Sequence, residues 1–201
     1  MSVIFSRRQI IGGACSALAL AGLPRAAFAL SEDRAKRMVN LVVTDINKVI
    51  DSGKSESAMY RDFERLFKTY ADTSYIAAYA MGVDGRRATS AQKRAFTEAF
   101  TGYIARKYGA RFREFIGGRL EVEDVRPIKN FLEVRTTAFL RGESPFEVSF
   151  HVSDRTGKEL FFNIYIEGVN MLLTERTEIG SMLDKRKGNI DALIADLKSA
   201  G

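Results

Sequence analysis

The chain has 201 residues, 46% of them hydrophobic and 28% charged, with a formal net charge of +6. That balance fits one globular domain with a sizeable core and excludes a disordered or collagen-like polymer. A single cysteine (Cys15), a single histidine (His151) and no tryptophan leave little material for thiol, metal or histidine-centred chemistry.

Residues 1–29 read as an export leader. Arg7-Arg8 precede an apolar run over residues 10–23, and Ala27-Phe28-Ala29 is a small-x-small cleavage site. Ser6-Arg7-Arg8-Gln9-Ile10-Ile11 fits the twin-arginine type. The apolar run is shorter than the ~20 residues a membrane-spanning helix needs. Cleavage removes Arg7, Arg8, Arg25 and no acid, so the net charge falls from +6 to +3. A nucleic-acid reading thereby loses its best support. Cys15 goes too, and with it any thiol nucleophile, disulfide or cysteine metal ligand. Residues 30–201 are expected to form a single domain.

The front half reads as helices. Val39, Val43, Ile46 and Ile50 recur at helical spacing, as do Met59, Phe63, Leu66, Phe67 and Tyr70, with Gly53 and Ser55 between the two stripes. A short helix over residues 74–81 should stop at Gly82, before a loop with an Asp84-Gly85 turn. Thr89 and Gln92 have capping-box spacing and open the next helix. Phe96, Phe100, Tyr103, Ile104, Tyr108, Phe112 and Phe115 then fall on one face. Gly109 is expected to bend or split this helix, and Gly117-Gly118 to end it.

Alternating strands follow. Leu120 and Val122 alternate with Glu121 and Glu123, and Pro127 marks a strand end. Leu132, Val134, Thr136, Ala138 and Leu140 make a second series, and Phe146, Val148, Phe150 and Val152 a third. Leu160, Phe162, Ile164 and Ile166 make a fourth. Hairpin-sized connections separate them, so the pattern is an antiparallel meander with one apolar face. At Gly168 the period switches to helical, with Val169, Leu172, Leu173, Ile179, Met182 and Leu183 on one stripe. Lys185-Arg186-Lys187 supply cations at the helix end. Asn189 caps a last helix with Ile190, Leu193, Ile194 and Leu197 inward. The class is α+β, with helices packed over a twisted antiparallel sheet of about four strands. One continuous apolar face without arranged chemistry either binds something apolar or is simply well packed.

The order of these pieces resembles a known family. The junction IYIEGVNMLLTERTEIGSML followed by GNIDALIADLK is similar to the end of MlaC-type proteins, the periplasmic lipid-shuttle or "toluene tolerance" family. TSYIAAYAMG, the turn, TSAQKRAFTEAFTGYIARKY and then GRLEVEDVRP resemble its central helices and first strand. The likeness spans about residues 33–198, and Glu167-Gly168-Val169, Thr174-Glu175-Arg176 and the run over residues 191–197 are its most specific parts. Family members often carry a tryptophan before the last strand, which Gly157-Lys158-Glu159-Leu160 lacks.

The resemblance implies a periplasmic phospholipid carrier, not an enzyme, with no cofactor and no catalytic residue. Its partners would be an outer-membrane lipoprotein complex and an inner-membrane ABC transporter with a lipid-binding subunit, serving outer-membrane lipid asymmetry. The acyl chains would sit in an apolar cavity between sheet and helices. On this chain the lining is expected at Phe100, Ile104, Tyr108, Phe112, Val134, Val148, Phe150, Ile164, Ile166 and Leu172. Hopanoid or other terpenoid cargo is the variant reading. A periplasmic adaptor that binds protein through a basic helix face is the alternative from another class.

The remaining candidates for chemistry read as structural. His151 falls on the polar face of a strand beside Ser149 and Ser153, without a nucleophile elbow, and is expected to be solvated. Glu121, Glu123, Glu133 and Glu147 could pass for a glycosidase pair, but cross-strand ion pairs with Arg119, Arg126 and Arg135 explain them more simply. Arg106, Lys107, Arg111 and Arg113 should lie on a solvated helix face that could dock an acidic partner or anionic headgroups.

Overall fold

The computed structural model describes residues 30–109 and 118–200. The leader, Phe112, Phe115, Arg111, Arg113 and Gly117 lie outside the described residues.

Helix α1 (Glu32–Ile50) starts at Ser31, whose hydroxyl oxygen accepts the Arg34 N–H at 3.3 Å, and places Glu32 and Asp33 at its positive end. Ala35, Val39, Val42 and Val43 form its buried stripe. Helix α2 (Glu56–Tyr70) buries Met59 and Phe63 against Val49 and Ile50 in a satellite cluster. Helix α3 (Thr73–Met81) is capped by buried Asp72, which accepts the Tyr75 N–H at 3.0 Å. A 3₁₀ turn over Gly82–Arg86 follows. Helix α4 (Ser90–Gly109) opens on the expected capping box: the Thr89 N–H donates to Gln92 Oε1 at 3.0 Å and the Gln92 N–H to Thr89 Oγ1 at 3.1 Å. Gly109 permits close approach at the end of this helix, since a Cβ there would stand 2.7 Å from a ring carbon of Tyr60 on α2.

The sheet is an antiparallel meander of five strands in the order β1-β2-β3-β4-β5, one more than the periodicity predicts. They are β1 (Arg119–Ile128), β2 (Phe131–Phe139), β3 (Phe146–Ser153), β4 (Leu160–Ile166) and β5 (Val169–Asn170). The extra strand is two residues long, so it carries no alternation to read. It folds back through Glu167-Gly168, both at positive φ (50° and 78°), as a two-residue hairpin requires. The switch to helical period therefore falls after Asn170, whose side-chain oxygen accepts the Leu173 N–H at 3.0 Å and starts α5 (Met171–Lys185). Helix α6 (Ile190–Ser199) is capped by Asn189 as expected and buries Ile190, Leu193, Ile194 and Leu197.

A second difference lies in β4. A bulge between His151 and Val152 pairs Val152 with Phe161, so Phe161 takes the core-facing place that alternation assigns to Phe162. Phe162 instead packs edge-on against Phe131 and Tyr75, with ring centroids 5.2 and 5.5 Å away.

One large apolar core unites the sheet with α1, α3, α4, α5 and α6. Helix α1 lies against β1, β2 and β3, while α3 and α5 meet β4, and α4 packs between α2 and α6. No helix among the described residues is long and apolar enough to cross a membrane.

Candidate functional site

Six of the ten expected lining residues are buried in the one core: Phe100 and Ile104 on α4, Val134 on β2, Val148 and Phe150 on β3, and Leu172 on α5. Tyr108, Ile164 and Ile166 are partly buried and pack against it, and Phe112 lies outside the described residues. Residues scattered over more than seventy positions of sequence thus share one core, in which α4 packs on α2, α3 and α6 and α5 packs on α3 and β4. Phe100 stacks on Phe96 at 5.6 Å between centroids, and Phe150 meets Phe161 edge-on at 5.8 Å. The only polar side chain on this face of β2, Thr136, is fully buried and donates its hydroxyl to the Val148 carbonyl at 2.7 Å. Its polarity is spent within the sheet, leaving methyl and aromatic surface inward.

A charged cluster bridges α4 and α5 at one side of this interior. Lys107 Nζ donates to Glu175 Oε1 at 2.8 Å and also to Glu178. The Tyr103 hydroxyl donates to Glu178 Oε1 at 2.6 Å, and the Tyr108 hydroxyl donates to Glu175 Oε1. Burial, which alone would lower the Lys107 pKa, is outweighed by the two carboxylates, and the ammonium is held above its usual range. Burial raises Tyr103 and Tyr108, and their carboxylate partners raise them further. Glu178 is lowered, because Lys107 and Tyr103 overcome its desolvation. Glu175 is 3% exposed, and its second oxygen, Oε2, has no hydrogen-bond partner among the described residues.

This cluster corrects the expectation of a solvated basic face. Lys107 is tied to α5, and Arg106 donates to the Leu197 and Ala200 carbonyls at 2.5 and 2.8 Å, closing the end of α6. Sequence reasoning also gave Glu175 no role. The signal was its spacing: Leu172, Glu175, Ile179 and Leu183 form the buried stripe of α5, with one acid among apolar side chains.

His151 is not solvated either. It sits between Phe131 and Tyr165, with centroids at 4.6 and 4.8 Å, and burial lowers its pKa despite Glu133 at 3.6 Å. The nearby Ser149 Oγ donates to Glu147 at 3.2 Å, away from any nucleophile geometry. Of the strand carboxylates, Glu147 makes the expected cross-strand pair, accepting from Arg135 at 3.0 Å, which lowers its pKa, whereas Glu121 pairs with Arg119 on its own strand and Glu133 stands 3.6 Å from His151.

An open groove of about 790 Å³ lies elsewhere, between α3 and the first half of α4. Ala77, Ala78, Met81 and Phe96 form its floor, and Arg86, Lys93 and Arg94 stand on its rim. None of the nine expected lining residues that are described borders it.

Residues 36–199 match the MlaC protein family. The chain belongs to the MlaC family. Its fold is also that of a phospholipid-binding protein from Ralstonia solanacearum solved in complex with a phospholipid. The TM-score is 0.71 at 20% sequence identity, over 82% of this chain and 95% of that one.

Proposed function

We propose that this MlaC-family protein is an exported, non-enzymatic carrier of membrane phospholipids. It loads and delivers them between an outer-membrane complex and an inner-membrane ABC transporter. The observation that carries the reading is the family match along nearly the whole domain, in a fold shared with a protein solved in complex with a phospholipid. The proposed lining is the set of Phe100, Ile104, Tyr108, Phe112, Val134, Val148, Phe150, Ile164, Ile166 and Leu172, with the acyl chains replacing contacts between α4, α5 and the sheet. Removing one CH₂ from water is worth about 0.8 kcal/mol, so two acyl chains supply a large gross driving force. Ordering and desolvation costs reduce it. The leader over residues 1–29 fits a periplasmic destination.

A carrier that buries its cargo so fully must open to release it. Opening requires α4 and α5 to part from the sheet. The test is transfer of a fluorescent phospholipid between donor and acceptor vesicles by the mature chain. Catalytic amounts should speed transfer in proportion to protein concentration. Transfer no faster than the spontaneous rate would contradict the reading.

A further inference from the structure

We infer that Glu175 Oε2 marks a subsite for a primary ammonium group at the polar end of the cargo, so that the carrier favours amine-bearing phospholipids. The inference rests on the carrier reading above and adds a preference among its lipids.

A buried carboxylate normally fills its acceptor sites, because an unpartnered charged oxygen forfeits hydration and receives nothing in return. Glu175 does so on one side only. Its Oε1 accepts from Lys107 and Tyr108, and among the described residues nothing donates to its Oε2. The oxygen is not at a surface where bulk water would serve it, since the side chain is 5% exposed. Nor is it remote from the proposed cargo. Glu175 stands on the buried stripe of α5, one turn from Leu172, and meets α4 at Lys107 and Tyr108. Leu172 and Tyr108 are proposed lining residues, so an amphiphile with its chains against them would bring its polar end to this carboxylate.

The charge of the cluster chooses the donor. Glu175 and Glu178 share the ammonium of Lys107, and Lys185 also acts on Glu178, so Glu175 has no cation to itself. An ammonium donates N–H to Oε2 and supplies that charge in one contact. A quaternary trimethylammonium has the same charge but no N–H. A glycerol headgroup has donors but leaves the lipid net negative, which the cluster repels. Lys107 and Tyr108 hold Oε1 and so aim Oε2, which makes them positioning residues for the subsite.

The test is competitive loading of the delipidated mature chain from vesicles of phosphatidylethanolamine and its mono-, di- and trimethylated forms, with matched acyl chains, read by native mass spectrometry. Loading should fall with each methyl group, several-fold from the primary amine to the trimethylated lipid. Phosphatidylglycerol should load no better than the trimethylated lipid. Glu175→Gln replaces the free oxygen by an amide nitrogen that can only donate, and should bring the ratio close to one. Glu147→Gln, in the ion pair with Arg135 on the sheet and outside the cluster, should keep the ratio. The methylation series tests the wild-type chain, so an unfolded Glu175→Gln variant leaves the test intact. Equal loading along the series, or preference for phosphatidylglycerol, overturns the subsite and spares the carrier reading. No loading of any lipid overturns both.

Discussion

Lys107 of α4 and Glu175 of α5 meet at 2.8 Å although 68 residues separate them, and this pair fixes the two helices that flank the proposed cargo interior. Glu175 is nearly inaccessible and has few other donors, so the pair is asymmetric. Losing the lysine strands a buried carboxylate, while losing the acid leaves Lys107 its bond to Glu178.

Lys107→Met should therefore destabilise the chain by about 2–3 kcal/mol, since one charge of a largely buried pair is left without its partner. Urea unfolding followed by circular dichroism reads this. The double variant Lys107→Met with Glu175→Leu should recover part of the loss, because an apolar pair of similar volume replaces an ionic one. A double variant less stable than the single one would mean the cluster stabilises by more than charge compensation.

Ile164→Glu should give a folded protein that carries no lipid. Ile164 is only partly buried, so the fold can tolerate the change better than at fully packed Val148. The contrast is Arg86→Glu with Arg94→Glu on the open groove between α3 and α4, which should leave lipid content unchanged, because that groove shares no residue with the proposed lining. Lipid extraction and quantification of both variants checks the pair of expectations.

Gly109→Ala should destabilise by about 1–3 kcal/mol, the usual cost of forcing extra volume into a packed contact. In an exposed helix the same change stabilises by up to about 1 kcal/mol, so the sign is informative. The Tyr60 ring lies 2.7 Å from where the methyl would be, and the Tyr60 hydroxyl is held by Glu56. A higher melting temperature would show that the two helices can separate freely there.

Stability should fall as the pH drops below about 6.5. Burial lowers His151 below its ordinary value of 6.5, so in that window the unfolded chain binds a proton the folded chain refuses. Stability linked to this group is complete above 6.5 and lost as the pH falls through the window. His151→Phe, which can keep the stack with Phe131 and Tyr165, should flatten the dependence between pH 7.5 and 5.5 in urea midpoints. The carboxylates lowered by their cationic partners, Glu147 and Glu178, act at lower pH and should remain in the variant.

Much of the fold was legible because local rules and tertiary structure agree. The Thr89–Gln92 capping box, the Asn189 cap and the inward stripe of α6 are all where spacing puts them. The misses share a cause. β5 is too short to show a period, and the bulge at His151/Val152 exchanges Phe162 for Phe161 without any mark in the composition. Lys107 and His151 read as solvated because nothing in one helix or strand announces the Glu175 or the Phe131 that covers it. The spacing of Leu172, Glu175, Ile179 and Leu183 marks one acid on the buried stripe of α5, but not the Lys107 and Tyr108 of α4 that hold it.

The most direct test of the carrier account is native mass spectrometry of the mature chain, purified from periplasm without detergent, with the organic extract analysed for lipids. The account predicts one phospholipid per chain, lost on denaturation. A chain that emerges empty and takes up no phospholipid from vesicles would contradict it.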